Sequence, residues 1–175
     1  MTNIIIRNNV KVVGKKNAPI LMLAHGFGCD QNMWQFMLPE LERHYQIVLF
    51  DYAGSGQSLL TGYTIEKYST LEGYAQDIID IIEELKLKAV TIIAHSVSSI
   101  IASIASLEIP NIIKKIVMVC PSPCFVNIPP DYKGGFERSD LEELIGLMDK
   151  NYIGWANYLA PLVMGHTQSD ELIGK

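Results

Sequence analysis

The chain has 175 residues, 49% hydrophobic and 19% charged, which excludes a disordered protein and suits one globular domain with a real core. Its net charge of −5 leaves no basic field to hold a phosphate backbone, so a nucleic-acid partner is not expected. No apolar run approaches the roughly 20 residues that cross a bilayer. Met1 to Val13 carries polar and basic residues where a signal peptide would place its apolar stretch. The reading is a cytoplasmic protein with no membrane partner.

Strands and helices alternate along the chain, with no internal repeat. Ile20 to His25 is an apolar run that enters Gly26-Phe27-Gly28, a buried strand followed by a loop. Gln46 to Asp51 is a second strand, ending at Gly54-Ser55-Gly56, and Ala89 to Ala94 and Ile116 to Cys120 are a third and a fourth. Runs rich in Ile and Val without alternation suit a parallel sheet covered on both faces. Leu71 to Leu87 has a helical stripe at Leu71, Tyr74, Ala75, Ile78, Ile81, Ile82 and Leu85, with Ser69 and Glu72 spaced as a capping box. Val97 to Leu107 is apolar nearly all round and reads as a short buried helix. Ser139 to Lys150 starts on a second Ser-x-x-Glu signal, Ser139 and Glu142. A last helix runs from about Tyr152 to Met164, with Pro161 expected to bend or end it. The order implies an open α/β sheet with right-handed crossovers, whose ligands bind beyond the carboxyl ends of the strands.

Cys29, Cys120 and Cys124 are an odd, sparse set that suggests no disulfide framework. Cys120 and Cys124 flank Pro121-Ser122-Pro123 with no histidine nearby, so they read as small buried thiols rather than metal ligands. No metal and no cofactor are expected.

Ala94-His95-Ser96-Val97-Ser98 lies between a buried strand and a buried helix, the context of the serine-nucleophile turn G-x-S-x-G. That turn holds the hydroxyl above the sheet, and the positions two before and two after it must be small because strand and helix crowd there. Here they are Ala94 and Ser98, small but not glycine. The competing account is a strand-to-helix connection in which Ser96 merely caps the helix. His25-Gly26-Phe27-Gly28, after an earlier strand, supplies the complement. Its glycines let a main-chain N–H, that of Phe27, turn toward a developing oxyanion, with the N–H of Val97 as partner donor. Gly54-Ser55-Gly56 fails as a dinucleotide loop, since the sixth position of G-x-G-x-x-G is Leu59 and no helix starts after the second glycine. It reads instead as a tight turn organised by Asp51.

With these residues in view, the chain resembles the small α/β-hydrolases of the RsbQ group. The resemblance is carried by His25 through Gln31 with Trp34, by Phe50-Asp51-Tyr52 with Gly54-Ser55-Gly56, and by Tyr68 through Asp77. It continues through His95-Ser96-Val97, Pro121 to Cys124, Gly134 to Glu137 and Asn151 to Ala156. Plant strigolactone and karrikin receptors are similar, and commonly show serine at the position of Ser98. The resemblance implies an α/β-hydrolase core at residues 1–130 and a helical lid at 131–175, both partial. It implies Ser96 as nucleophile and a hydrophobic pocket at positions Phe27, Phe125, Phe136, Trp155 and Leu159. It further implies hydrolysis of a small hydrophobic ester or lactone and a part in sigma-B stress signalling through a PAS-containing phosphatase partner.

In this family the triad acid and histidine follow the lid, and the sequence stops at Lys175, within the lid region. None of His25, His44, His95 and His166 is placed as a general base for Ser96. The expectation is a C-terminally truncated fold, poorly soluble and catalytically inert by itself. A non-catalytic ligand-binding signalling module and an inactive truncated gene product are the alternatives.

Overall fold

The structure is a computed structural model that describes residues 3–164. A five-stranded sheet organises the first of two compact units, Met1–Pro123; the second is Cys124–Lys175. The strands are β1 (Lys11–Gly14), β2 (Ile20–Ala24), β3 (Gln46–Leu49), β4 (Val90–His95) and β5 (Ile113–Val119), in the order β1-β3-β2-β4-β5. β2 to β5 are parallel, and β1 pairs antiparallel with β3.

Helices α1 (Ile4–Arg7), α2 (Leu38–Leu41), α3 (Ile65–Tyr68), α4 (Leu71–Glu84) and α5 (Ser98–Glu108) complete this unit, with short 3-10 turns at Gln31–Trp34 and Leu60–Gly62. Alternate strand residues face opposite layers. Met22, Ala24, Val48, Phe50, Val90, Ile92 and Ala94 pack against Ile78, Ile81 and Ile82 of α4 and Ile101, Ala102 and Ala105 of α5. Leu21, Leu23, Ile47 and Leu49 pack on the other face around Trp34, with Leu38 and Leu41 of α2. Both faces of β2 are thereby closed, which its unbroken apolar run requires.

Several expectations are corrected. β1 was not anticipated: Lys-Val-Val-Gly is short and mostly exposed, the profile of an edge strand. The final strand begins at Ile113 and is not covered on both faces; Val117 and Met118 are 48% and 45% exposed at the other edge. Ser69 is the C-cap of α3, so it forms no capping box with Glu72; Thr70 is the N-cap of α4. α5 is buried along one side only, with Leu107 79% exposed.

In the second unit, isolated bridges join Val126 to Phe136 and Ile128 to Tyr132, leading into α6 (Arg138–Lys150) and α7 (Tyr152–Met164). The capping box of α6 is Glu137 with Asp140, not Ser139 with Glu142. Both members sit two positions earlier, where the first free N–H groups point. Asn151 accepts from Gly154 N–H at 2.9 Å at the start of α7, and that helix continues past Pro161 instead of ending there.

Candidate active site

Ser96 occupies the turn between β4 and α5 with φ +56°, a left-handed backbone that L-residues other than glycine avoid. Such a conformation costs roughly 1–3 kcal/mol and persists only where neighbours hold it. Here Ser96 N–H donates to Val119 O at 2.8 Å, continuing the β4–β5 ladder, and Ser96 O accepts from Ser99 N–H at 3.0 Å. Ser99 Oγ donates back to Ala94 O at 3.0 Å, closing the turn beneath the serine. Ala94 and Ser98 are both fully buried, so the two positions flanking the turn have room only for small side chains. Val97 is the N-cap of α5, so its N–H belongs to the helix end whose donors lack intrahelical acceptors and where the dipole favours negative charge.

The loop after β2 lies directly on this turn. A Cβ added to Gly26 would come 2.4 Å from His95 Nδ1 and 3.3 Å from Ser96 Cβ. Glycine is therefore a steric requirement of the contact. Gly28 has φ +71°, and Cys29 N–H closes the loop onto Gly26 O at 3.2 Å. Phe27, between the glycines, is 60% exposed.

His25 is buried and fixed by two bonds. Tyr52 N–H donates to its Nε2 at 3.2 Å, so the proton sits on Nδ1, which donates to Gly26 O at 3.0 Å. Burial holds its pKa below the ordinary imidazole value. His95 is depressed likewise, by burial and then by the neighbouring His25; its Nδ1 is buried with no hydrogen-bond partner among the described residues. His44 is exposed beside Glu40 at 3.3 Å, and it precedes β3, at the opposite end of the sheet from Ser96. His166 lies outside the described residues.

Asp51 organises the Gly54-Ser55-Gly56 turn, and more besides. It accepts from Gln57 N–H at 3.0 Å, Gln31 N–H at 2.9 Å and Asn9 Nδ2 at 2.8 Å. Burial alone would raise its pKa, but these donors more than offset that and hold the carboxyl below its ordinary range. No helix follows the second glycine directly.

A second buried carboxylate, Asp77 on α4, was not anticipated. It meets Arg7 Nη2 at 2.8 Å, Lys67 Nζ at 3.1 Å, Tyr68 OH at 2.8 Å, Asn8 Nδ2 at 3.1 Å and Ala53 N–H at 3.2 Å. The signal was present: Asp77 falls between Tyr74 and Ile81 on the apolar stripe of α4, where an unpaired carboxylate could not be buried.

Among the other anticipated positions, Phe125 and Phe136 are adjacent, with Phe136 N–H donating to Phe125 O at 3.0 Å. Phe125 is 43% exposed and Phe136 37%. Trp155 is buried against the ring of Tyr152, and Leu159 is half-buried. Cys29, Cys120 and Cys124 form no disulfide among the described residues, but Cys120 is exposed with φ +49°, which corrects the expectation of a buried thiol there. Burial, and then Asp30, pushes the Cys29 thiol up.

The sequence family described as alpha/beta hydrolase fold matches residues 19–144. The chain belongs to the α/β-hydrolase family. Its fold matches that of a hydrolase from Oleispira antarctica with a TM-score of 0.88 and 62% identity, covering 98% of this chain and 63% of that one. A probable esterase of Oryza sativa subsp. japonica is 41% identical over 158 residues, covering 90% of this chain and 58% of the relative. Karrikin insensitive 2 receptor CA of Petunia hybrida is 43% identical over 158 residues, with the same two coverages of 90% and 58%. The chain thus spans about three-fifths of the length of these α/β-hydrolase relatives. Hydrolase activity is the family's general chemistry, and no helix among the described residues is long and apolar enough to cross a membrane.

Proposed function

We propose that the protein is a cytoplasmic serine hydrolase acting on a small hydrophobic ester or lactone, with Ser96 as nucleophile. Ser96 Oγ attacks the carbonyl carbon, and the N–H groups of Phe27 and Val97 receive the oxyanion. The C–O bond to the leaving alcohol breaks, and water then releases the acid from the acyl-serine. One observation carries this reading: a serine with φ +56° at a strand-to-helix turn, with Gly26 packed onto it. A helix-capping serine has no need of that strain.

The base is supplied by a segment outside residues 3–164. His25 has both ring nitrogens engaged, His95 turns its Nδ1 against Gly26, and His44 is remote. Phe27 is proposed as a substrate contact in the first unit, and Phe125, Phe136, Trp155 and Leu159 as substrate contacts in the second, where residues 131–175 are proposed as part of a lid. The form to assay is the protein at its relatives' full length.

Activity toward p-nitrophenyl esters and labelling by a fluorophosphonate test the assignment. Ser96→Ala should abolish labelling and lower kcat by about 10³-fold or more. Full activity in Ser96→Ala, or label on another residue, would sink it.

The 43% identity to a protein named as a receptor favours a second role for the same site, small-ligand signalling. In the RsbQ-like form of that role the ligand-bound protein engages a PAS-containing phosphatase and promotes the sigma-B response. Ser96→Ala separates the roles in a sigma-B reporter strain. Loss of turnover and signal together joins them, whereas retained signal leaves a binding module.

A further inference from the structure

We propose that Ser98 is a positioning residue for the oxyanion hole. Its buried hydroxyl ties the first turn of α5 to the Gly26–Gly28 loop and so holds the N–H groups of Val97 and Phe27 in one frame. The inference rests on the hydrolase reading above and adds a residue to it.

The tie is part of a closed ring of hydrogen bonds. Ser98 Oγ lies against His25 O, and a hydroxyl has only one proton to give, which goes to that carbonyl. Its lone pairs accept the proton of Tyr52 O–H at 3.0 Å. Tyr52 N–H donates to His25 Nε2 at 3.2 Å, and His25 Nδ1–H donates to Gly26 O at 3.0 Å. Ser98, His25 and Tyr52 are 0%, 2% and 4% exposed, so water does not compete for these bonds. Burial also pushes the Tyr52 phenol up, which keeps it protonated and able to donate.

Steric crowding explains why position 98 is small, but not why it bears a hydroxyl. Glycine, which the G-x-S-x-G pattern carries, meets the volume limit and cannot make the tie. An unpartnered hydroxyl here would be costly to bury. Because its proton is committed and it has no exposed surface, Ser98 does not touch substrate. It acts through the backbone of His25, one residue before the glycine that packs on Ser96.

The test uses the protein at its relatives' full length, with Ser98→Ala and Ser98→Gly compared with Ser103→Ala. The hydroxyl of Ser103, elsewhere on α5, donates to Ser99 O at 2.8 Å, and its removal serves as the stability control. Loss of one buried hydrogen bond should speed hydrogen exchange at amides 26–28 by about tenfold in both Ser98 variants and not in Ser103→Ala. Ester kcat should fall about 10–100-fold with KM within about threefold, the pattern of a transition-state defect. Tyr52→Phe, which keeps the Ser98 bond to His25, should lie between wild type and Ser98→Ala; it also decides the matter if the Ser98 variants do not fold. Unchanged loop exchange, or a rise in KM at constant kcat, overturns the proposal. A wild-type protein that hydrolyses no ester fails the hydrolase reading instead, and the exchange rates still report whether Ser98 holds the loop.

Discussion

At Ser96 two requirements conflict: the left-handed turn favours glycine, and the chemistry needs a hydroxyl. Residue identity at this point therefore trades stability for reactivity, and the trade is measurable. Ser96→Gly should be more stable than Ser96→Ala by about 1 kcal/mol in urea unfolding, because only glycine adopts this φ freely. Equal stabilities would mean that the turn is not strained. Gly26 presents the opposite case, a residue whose value lies in what it lacks. Gly26→Ala would drive a methyl into His95 Nδ1 and against Ser96 Cβ. It should lower ester kcat by about 10²-fold through displacement of the Phe27 donor. A normal kcat would place the oxyanion hole elsewhere.

Among the elements, α4 shows what a sequence tells and what it withholds. Its apolar stripe placed the helix to within a few residues, since burial against the sheet follows directly from the spacing of Ile78, Ile81 and Ile82. The partners of Asp77 could not be read the same way, because Arg7 and Asn8 lie some seventy positions away and meet it only in the folded chain. The same limit hid the Ser98–Tyr52–His25 ring, whose members sit on three segments. The turn at Ser96 was legible because strand, small residues and helix are contiguous. Strand β1 was not, for four mostly exposed residues leave no periodic trace. Asp77→Ala should destabilise the protein by about 3–5 kcal/mol, since it leaves the Arg7 and Lys67 charges without their shared partner. Chemical denaturation measures this, and a loss under about 1 kcal/mol would show that Asp80 alone can hold both cations.

For the molecule as a whole, pH acts through histidines buried neutral. His25 and His95 titrate below their ordinary value of 6.5 in the folded state. As pH falls below about 6.5 the unfolded chain binds protons that the native chain refuses, so stability, complete above that pH, declines until the native histidines also protonate. Asp51, held below its ordinary 3.8, adds a second loss at more acid pH, where the unfolded carboxylate protonates first. Urea midpoints should be flat from about pH 8 to 7 and fall from 6.5 to 5; a rise over that interval would contradict the neutral assignment of His25.

The sheet edge at β5 has a consequence of the same scale. Val117, Met118 and Val119 are exposed on the edge strand of the sheet, with Lys114 and Lys115 near its start. The 175-residue chain should self-associate as its concentration rises in size-exclusion chromatography. Val117→Lys should reduce that association, whereas an unaltered profile would assign it to another surface.

The ion pairs of Arg7 bear on how the protein is made. Arg7 reaches Asp77 and Asp80, while Asn8 and Asn9 reach Asp77 and Asp51. Residues 7–9 are thus tied to α4 and to the carboxylate after β3, which the ribosome delivers much later. An expression plasmid beginning at Val10, a tempting start for a neat β-strand, would remove the plug from beneath the Gly54–Gly56 turn and leave Asp77 with Lys67 as its remaining cation.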